Sequence, residues 1–328
     1  MTLPNEPLLV VRGLNIEFGP PERPVRAVAD ADLTLAPGEI LGIAGESGSG
    51  KTTLCSAIMR TLPRSARVSG RVEFAGKELL SLSEREMARL RGRDLSMVLQ
   101  NPMTSLDPLY TIGNQLEEVL RERRRGGAEV RPGGAVEVLR RVHLTAPELR
   151  VRQYPHQLSG GMRQRVLVGM ATAAAPRLLI ADEPTTALDA SIQDEILILF
   201  RELRDTAGSA VVIVTHDLSA IRRLSDRVII MYAGRIVEEG PTAEVFRAPR
   251  HPYTRALLGS LPRIEDEEVV LQPIPGQVPD LARLPPGCAF AARCPVALDA
   301  CRAERPQEST VGERHRVFCW QAAAGGAA

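Results

Sequence analysis

The side chains best suited to chemistry form one unbroken run, Gly45-Glu46-Ser47-Gly48-Ser49-Gly50-Lys51-Thr52. Its spacing is G-x-x-x-x-G-K-[ST], and it lies between the apolar run Leu41-Gly42-Ile43-Ala44 and a helix-like stretch. Glycines at these positions permit a tight loop whose backbone N–H groups wrap phosphate oxygens, and the following helix N-terminus adds a field that favours an anion. In such a loop the Lys51 ammonium reaches the β- and γ-phosphates of a nucleoside triphosphate, and the Thr52 hydroxyl holds Mg²⁺. An ordinary Gly-rich turn is the bland alternative, and the strand-then-helix context argues against it.

A second group ends the apolar run Leu178-Leu179-Ile180-Ala181 with two carboxylates, Asp182 and Glu183. Asp182 can bind Mg²⁺ through water, and Glu183 can polarise an attacking water, the division of labour that phosphoryl transfer needs. Alone, two acids after a strand are equally a capped turn; beside a phosphate loop they read as its catalytic partner. A third group, Leu158-Ser159-Gly160-Gly161-Met162, offers a hydroxyl, bare glycine amides and a helix start, which together make a second anion cradle. Taken by itself, Ser-Gly-Gly is only a loop.

The elements that must hold these groups follow from periodicity. Apolar runs at Ile40–Ala44, Leu95–Leu99, Leu178–Ala181, Val211–Val214 and Val228–Met231 have the continuous character of strands buried on both faces. Helix-like stretches lie between them, at Lys51–Thr61, Gly161–Ala175 and Ile192–Thr206. Alternation of this kind predicts an α/β parallel sheet with flanking helices. Shorter alternating patterns near the N-terminus and at Arg67–Leu79 predict an antiparallel β subdomain beside it. From about residue 104 to 157 the strand signal gives way to charged helical sequence, interrupted at Gly126-Gly127 and Gly133-Gly134, and this reads as a helical insertion. Within it, Arg121-Glu122-Arg123-Arg124-Arg125 is expected to be a solvated helix face rather than a lipid-binding patch.

Composition removes several function classes. The 41 Lys and Arg residues against 40 Asp and Glu leave a net charge of +1 in 328 residues, with no single-sign field to steer nucleic acid. Aromatic residues are 3% of the chain, too few for base-stacking platforms. The start MTLPNEPLLVVRG has no targeting character, and the stretch Val166–Pro176 is too short to span a bilayer, so a soluble chain is expected. After Pro252 the sequence turns to Pro, Arg and Cys, which marks a separate small C-terminal extension over 251–328 following a nucleotide-binding domain over 1–250. Its end, about 321–328, is low-complexity and expected to be disordered. Four of the five cysteines, Cys288, Cys294, Cys301 and Cys319, fall in the extension and read as one site. Their spacing, C-x5-C-x6-C-x17-C, is unlike paired C-x2-C zinc sites. A [4Fe–4S] cluster, zinc, and free thiols or disulfides all stay open on residue type alone. Cys55, inside the helix after the loop, reads as a buried small apolar residue.

The order GESGSGKTT, LSGGM, LLIADE resembles the ATP-binding subunit of ATP-binding-cassette (ABC) transporters, over Leu8 to about Phe246. The resemblance implies that Gly45 to Thr53 is the Walker A loop, that Ser159, Gly160 and Gly161 belong to the signature, and that Asp182 and Glu183 close the Walker B strand. It further implies Gln100 as the Q-loop glutamine sensing Mg²⁺ and the γ-phosphate, Asp189 as the D-loop aspartate at a dimer interface, and His216 as the switch histidine. Each of these three has a bland reading as a turn, a helix cap and a strand-end imidazole. Phe18 best matches the adenine-stacking aromatic, although GPPERP follows it before the next strand. Met162 stands where glutamine is commoner in the signature, and a modest loss at most is expected.

QNPMTSLDPLYTIG, HPYTRALLGSLPR, PIPGQVPDL, CAFAARCPVALDAC and HRVFCW resemble the dipeptide/oligopeptide/nickel uptake branch. That branch implies an ATPase driving solute import from the cytoplasmic face of the membrane. The implied partners are a second cassette subunit, two transmembrane permease subunits and an extracytoplasmic solute-binding protein. The helical insertion would dock the permease near Pro102–Tyr110. The branch also implies a [4Fe–4S] cluster on the four tail cysteines. Because the ATP-site residues lie in another segment, basal hydrolysis is expected to survive loss of the tail cysteines better than complex assembly does. Competing readings are a soluble ABC ATPase of DNA repair or translation, and a metal- or redox-sensing module built on the cysteines.

Overall fold

The computed structural model describes residues 6–99, 105–125, 133–186, 189–260, 274–312 and 314–323. Gln100, Pro102 to Thr104, the Gly126-Gly127 pair and the end of the tail from 324 lie outside them. The chain forms two compact units that interleave along the sequence. One comprises residues 9–34, 41–74 and 215–328, the other 1–8, 35–40 and 75–214.

In the first of these units, β1 (Leu9–Phe18) pairs antiparallel with β4 (Arg67–Phe74), and β2 (Val25–Leu35) borders β1. This is the predicted antiparallel subdomain. Its ladder shifts register between Arg12 and Asn15, opposite Gly70. At Gly70 the backbone has φ +106°, and a Cβ there would lie 2.4 Å from the Gly13 carbonyl oxygen. The irregularity therefore depends on a residue without a side chain.

The same unit carries β3 (Ile40–Ala44), parallel to β9 (Arg227–Tyr232), which turns through Ala233-Gly234 into antiparallel β10 (Arg235–Pro241). Both turn residues have positive φ, 46° and 80°, the mirror-type turn that matches strand twist. Two short strands from the C-terminal segment extend the ladder: β12 (Arg316–Val317) pairs with β10, and β11 (Ser309–Thr310) with β12. The core gathers Val228, Ile230, Tyr232, Tyr253 and Phe290, with Leu218 and Ile221 from the helix Leu218–Leu224. Phe290 is 1% exposed and meets Tyr232 edge-on at 5.3 Å between ring centroids. The extension thus anchors in this core through an aromatic that the Pro- and Arg-rich composition masks.

In the other unit, β6 (Leu95–Val98), β7 (Leu178–Asp182) and β8 (Ala210–Val214) form a parallel ladder in the order β6-β7-β8. Every residue of β7 and β8 is buried, as expected where both faces are covered. The helical insertion is present as Ile112–Arg125, Gly134–Arg141 and Pro147–Arg150. Ile112, Leu116 and Leu120 form its buried stripe at four-residue spacing, each worth about 1.5–3 kcal/mol. In the charge run, four residues are exposed as predicted but Arg123 is not. Its guanidinium donates to the Met170 carbonyl at 2.5 Å, near the C-terminus of the helix Gly160–Thr172. A cation there satisfies carbonyls that the helix cannot, and burial pulls the Arg123 pKa down to about 10.

Candidate functional site

The phosphate loop leaves β3 through Gly45, at φ +151°, where a Cβ would stand 2.1 Å from the Met231 carbonyl oxygen. It closes at Gly50, φ +98°, where a Cβ would come within 2.3 Å of the Ala27 carbonyl oxygen. Both glycines are demanded by backbone passing alongside. Between them the Ser49 N–H donates to the Glu46 carbonyl at 3.2 Å, and Gly234 N–H donates to the Ser49 carbonyl at 3.0 Å. Lys51 is buried and lays its ammonium across the loop, donating to the carbonyls of Gly45 (2.8 Å) and Glu46 (2.9 Å). Ser47, Gly48 and Thr52 are exposed, while Thr53 is half-buried. Gly50 caps the helix Lys51–Ile58 with no side-chain acceptor. The loop therefore presents amides, a helix start and a lysine to an anion. Cys55 in that helix is fully buried, as expected.

His216 follows β8 on the first turn of this unit's C-terminal segment and is exposed. Next to it, Asp217 accepts from the N–H groups of Ser219 (2.9 Å) and Ala220 (3.2 Å), which fixes the helix that follows. Phe18 is the last residue of β1 and half-buried, so it is not a core side chain.

The other unit holds the carboxylates and the signature. Asp182 ends β7 at 2% exposure, and Glu183 follows with φ +49°. A non-glycine residue in the left-handed region carries roughly 1–2 kcal/mol of strain. The surroundings hold it there: Glu183 N–H donates to the Val214 carbonyl at 2.8 Å, and Thr186 Oγ1 donates to Glu183 Oε2 at 2.8 Å. Ser159 is exposed and caps the helix Gly160–Thr172, accepting from Met162 N–H at 3.3 Å. Gly160 is exposed and Gly161 buried against Ile192, where a Cβ would meet Cγ2 at 2.7 Å. Asp189 is exposed at the N-cap of Ala190–Ala207 with no side-chain cap bond, so helix capping does not account for its carboxylate. Gln100 lies outside the described residues.

The four tail cysteines line one small pocket together with His251, Phe290 and Trp320. Cys288 N–H donates to the Cys301 carbonyl at 2.8 Å. Burial first, and mutual repulsion after it, pushes the Cys288 thiol up to about 11, and burial raises Cys294 and Cys319 as well. Burial thus disfavours the thiolate form of Cys288, Cys294 and Cys319, the form in which a thiol binds a metal. Among the described residues no group of three or more His, Cys, Asp or Glu side chains is arranged to hold a metal. The expectation of one site is therefore met only as a shared pocket; the geometry does not support an iron–sulfur or other metal centre.

The extension also touches the phosphate loop, although the two lie in separate segments of the sequence. Arg293 of the extension forms a two-pronged ion pair with Glu46 of the phosphate loop, and Tyr253 Oη accepts the Glu46 N–H at 2.8 Å. Sequence reading missed both, because no local spacing connects residues 247 and 207 apart in the chain.

Comparison with known proteins agrees with this geometry. Residues 28–186 match the family described as ABC transporter, and residues 237–301 that described as oligopeptide/dipeptide transporter, C-terminal region. A protein of Brucella ovis, provisionally named a peptide import ATP-binding protein, is 46% identical over 96% of this chain and 98% of its own. The dipeptide transport ATP-binding protein DppD of Bacillus subtilis is 43% identical, covering 96% of this chain and 95% of the relative. A dimeric ATP-binding cassette solved in a post-hydrolysis state with ADP and Pi superposes with a TM-score of 0.61 at 27% identity, covering 71% of this chain and 98% of that one. By its phosphate loop, its α/β fold and its near full-length kinship with these relatives, the chain belongs to the ABC transporter ATP-binding proteins, a family of ATPases, in the branch with an oligopeptide/dipeptide-type C-terminal region.

Proposed function

We propose that this chain is the ATP-hydrolysing motor subunit of an importer for peptides or related small solutes. The observation that carries the reading is the joint presence of the phosphate loop and a C-terminal region of the oligopeptide/dipeptide transporter type on one chain. The chain would divide functionally at 250/251 into a cassette and an extension. Backbone amides of Gly45 to Lys51 and the Lys51 ammonium would bind the β- and γ-phosphates, with Thr53 in the supporting first turn and Phe18 against the adenine. Thr52, Asp182 and Gln100 would supply oxygen donors of the kind Mg²⁺ prefers. When bound, Mg²⁺ would supply charge neutralisation at the phosphates. Glu183 would take a proton from the attacking water, and His216 would donate to the γ-phosphate. Ser159, Gly160, Gly161 and Asp189 would meet the nucleotide of a second cassette across a head-to-tail dimer.

The partners follow from the same reading: a second cassette, identical or not, two permease subunits and an extracytoplasmic solute-binding protein, with the chain peripheral at the cytoplasmic face. No described helix is long and apolar enough to cross a membrane. A docking surface is available in the helical insertion, where Leu109 is 78% and Tyr110 55% exposed. Gln115 fixes the loop that presents them, its Nε2 donating to the carbonyls of Asp107 (2.9 Å) and Tyr110 (3.0 Å). Apolar side chains held rigidly in solvent are suited to a partner helix.

A [4Fe–4S] cluster is the finer reading of the cysteine pocket. Convergence of four thiols supports it, and the absence of a ligand-like arrangement among the described residues weighs against it. Anaerobic purification decides: about four irons per chain with broad absorption near 400 nm supports the cluster, and iron-free colourless protein removes it. The functional reading itself is tested by purifying the tagged chain from membranes, identifying copurifying polytopic proteins by mass spectrometry, and measuring ATP-driven uptake of labelled peptides in vesicles. Uptake that needs ATP and Glu183 is expected. An isolated chain that hydrolyses ATP but never associates with membrane proteins would contradict it.

A further inference from the structure

We propose that Arg293 is a positioning residue for the phosphate loop, through which the C-terminal extension sets nucleotide affinity. The inference deepens the proposed ATPase reading and rests on it. Glu46, the second residue of the loop, is held at three points. Its N–H donates to Tyr253 Oη (2.8 Å), its carbonyl accepts from Lys51 Nζ (2.9 Å), and its carboxylate takes both prongs of Arg293. Arg293 Nη1 reaches Oε2 at 2.8 Å and Nη2 reaches Oε1 at 3.1 Å, the parallel geometry that makes arginine and carboxylate a directional pair.

The guanidinium is itself fixed. Its side chain is 5% exposed, and it also donates to the carbonyls of Pro275 (2.9 Å) and Ile274 (3.1 Å) and to Tyr232 Oη (3.3 Å). Its central carbon stands 5.8 Å from the Tyr232 ring centroid and 5.9 Å from that of Phe290. Ile274, Pro275 and Phe290 of this anchorage belong to the extension, Tyr232 ends β9, and Phe290 also lines the cysteine pocket. The extension's carbonyls and Phe290, with Tyr232, orient the arginine, and the arginine orients the loop.

An electrostatic need accompanies the geometric one. A carboxylate in a loop that binds phosphates opposes the anion unless it is neutralised nearby. Arg293 supplies the neutralising charge, on both oxygens of the Glu46 carboxylate. Lysine could supply charge but not the fork, so charge and positioning can be separated experimentally.

The test uses the full chain, folded state checked by thermal melting, and equilibrium titration with Mg-ATP alongside steady-state kinetics. Arg293→Met is expected to weaken ATP binding roughly tenfold, raising KM by a similar factor with kcat changed far less. Adding Glu46→Gln to Arg293→Met is expected to recover affinity to within about threefold of wild type, because the unpaired carboxylate is gone. Should Arg293→Met not fold, Arg293→Lys carries the test: it keeps the charge, and an affinity loss of roughly threefold is expected. Folded Arg293→Met, or in its place Arg293→Lys, binding ATP as wild type does would overturn the proposal. So would a double variant no better than Arg293→Met. Wild-type protein that binds no ATP would instead overturn the ATPase reading beneath it.

Discussion

The phosphate loop and the cysteine pocket lie in the same unit, yet they are put together in opposite ways. The loop is eight consecutive residues whose shape follows from positive-φ glycines and from backbone passing within van der Waals reach. The pocket collects thiols from Cys288 to Cys319 by long-range packing on a core of Tyr232, Tyr253 and Phe290. One lays the Lys51 side chain across its own carbonyls; the other buries its thiols, which pushes up the pKa of Cys288. Local spacing encodes the first, and only tertiary structure makes the second. The Arg293–Glu46 pair ties the loop to the extension that carries the pocket.

The comparison is broken most severely at the loop. Lys51→Ala removes the buried ammonium that bridges two loop carbonyls, and ATP affinity is expected to fall by roughly 100-fold or more in an equilibrium titration. Gly50→Ala places a methyl 2.3 Å from the Ala27 carbonyl and forces a left-handed alanine. Chemical denaturation should register a loss of about 3–5 kcal/mol.

A smaller effect reaches the loop through pH. His251 is buried with its pKa held down to about 4 by desolvation, and its Nδ1 accepts the Tyr253 N–H at 3.0 Å, which requires the neutral ring. Glu238 accepts from the N–H groups of Arg250 and His251 and from His315. Burial alone would raise its pKa, but these hydrogen bonds outweigh it and hold the carboxyl below its ordinary value. Both groups bind fewer protons folded than unfolded, so stability rises with pH. The His251 contribution, on the order of 3 kcal/mol, is lost as pH falls from about 6.5 to 4, and that of Glu238 as pH falls below the ordinary glutamate value. Unfolding free energies measured across that window should show the slope, and His251→Asn, which keeps a cap acceptor without titrating, should flatten it. The smallest effect belongs to the pocket taken as plain packing. Without a metal, Cys294→Ser should cost no more than about 1–2 kcal/mol and leave ATP affinity within threefold, readable by melting and titration.

Much of the fold was legible because strands buried on both faces spell continuous apolar runs. Ile40–Ala44 is the strand that its residues predict, and the helices after the loop and after Ser159 begin within a residue of the expected places. The loop itself was legible because its geometry is local. Arg123 was misread because a charge inside a charged run looks solvated until a helix C-terminus is packed against it. Arg293, Tyr253 and Tyr232 were invisible for a different reason: each earns its place by an approach between segments that no spacing records. The strained Glu183 lies between these cases, since its position after a strand suggested chemistry while its left-handed backbone could not be read from residue type.

The central claim, that Glu183 rather than the phosphate loop performs the hydrolytic step, is tested by single-turnover hydrolysis of radiolabelled ATP with wild type and Glu183→Gln at saturating, separately measured ATP occupancy. Glu183→Gln should bind ATP within about threefold of wild type and hydrolyse it at least roughly 100-fold more slowly. Hydrolysis at a near wild-type rate, or loss of ATP binding in the folded variant, would contradict it.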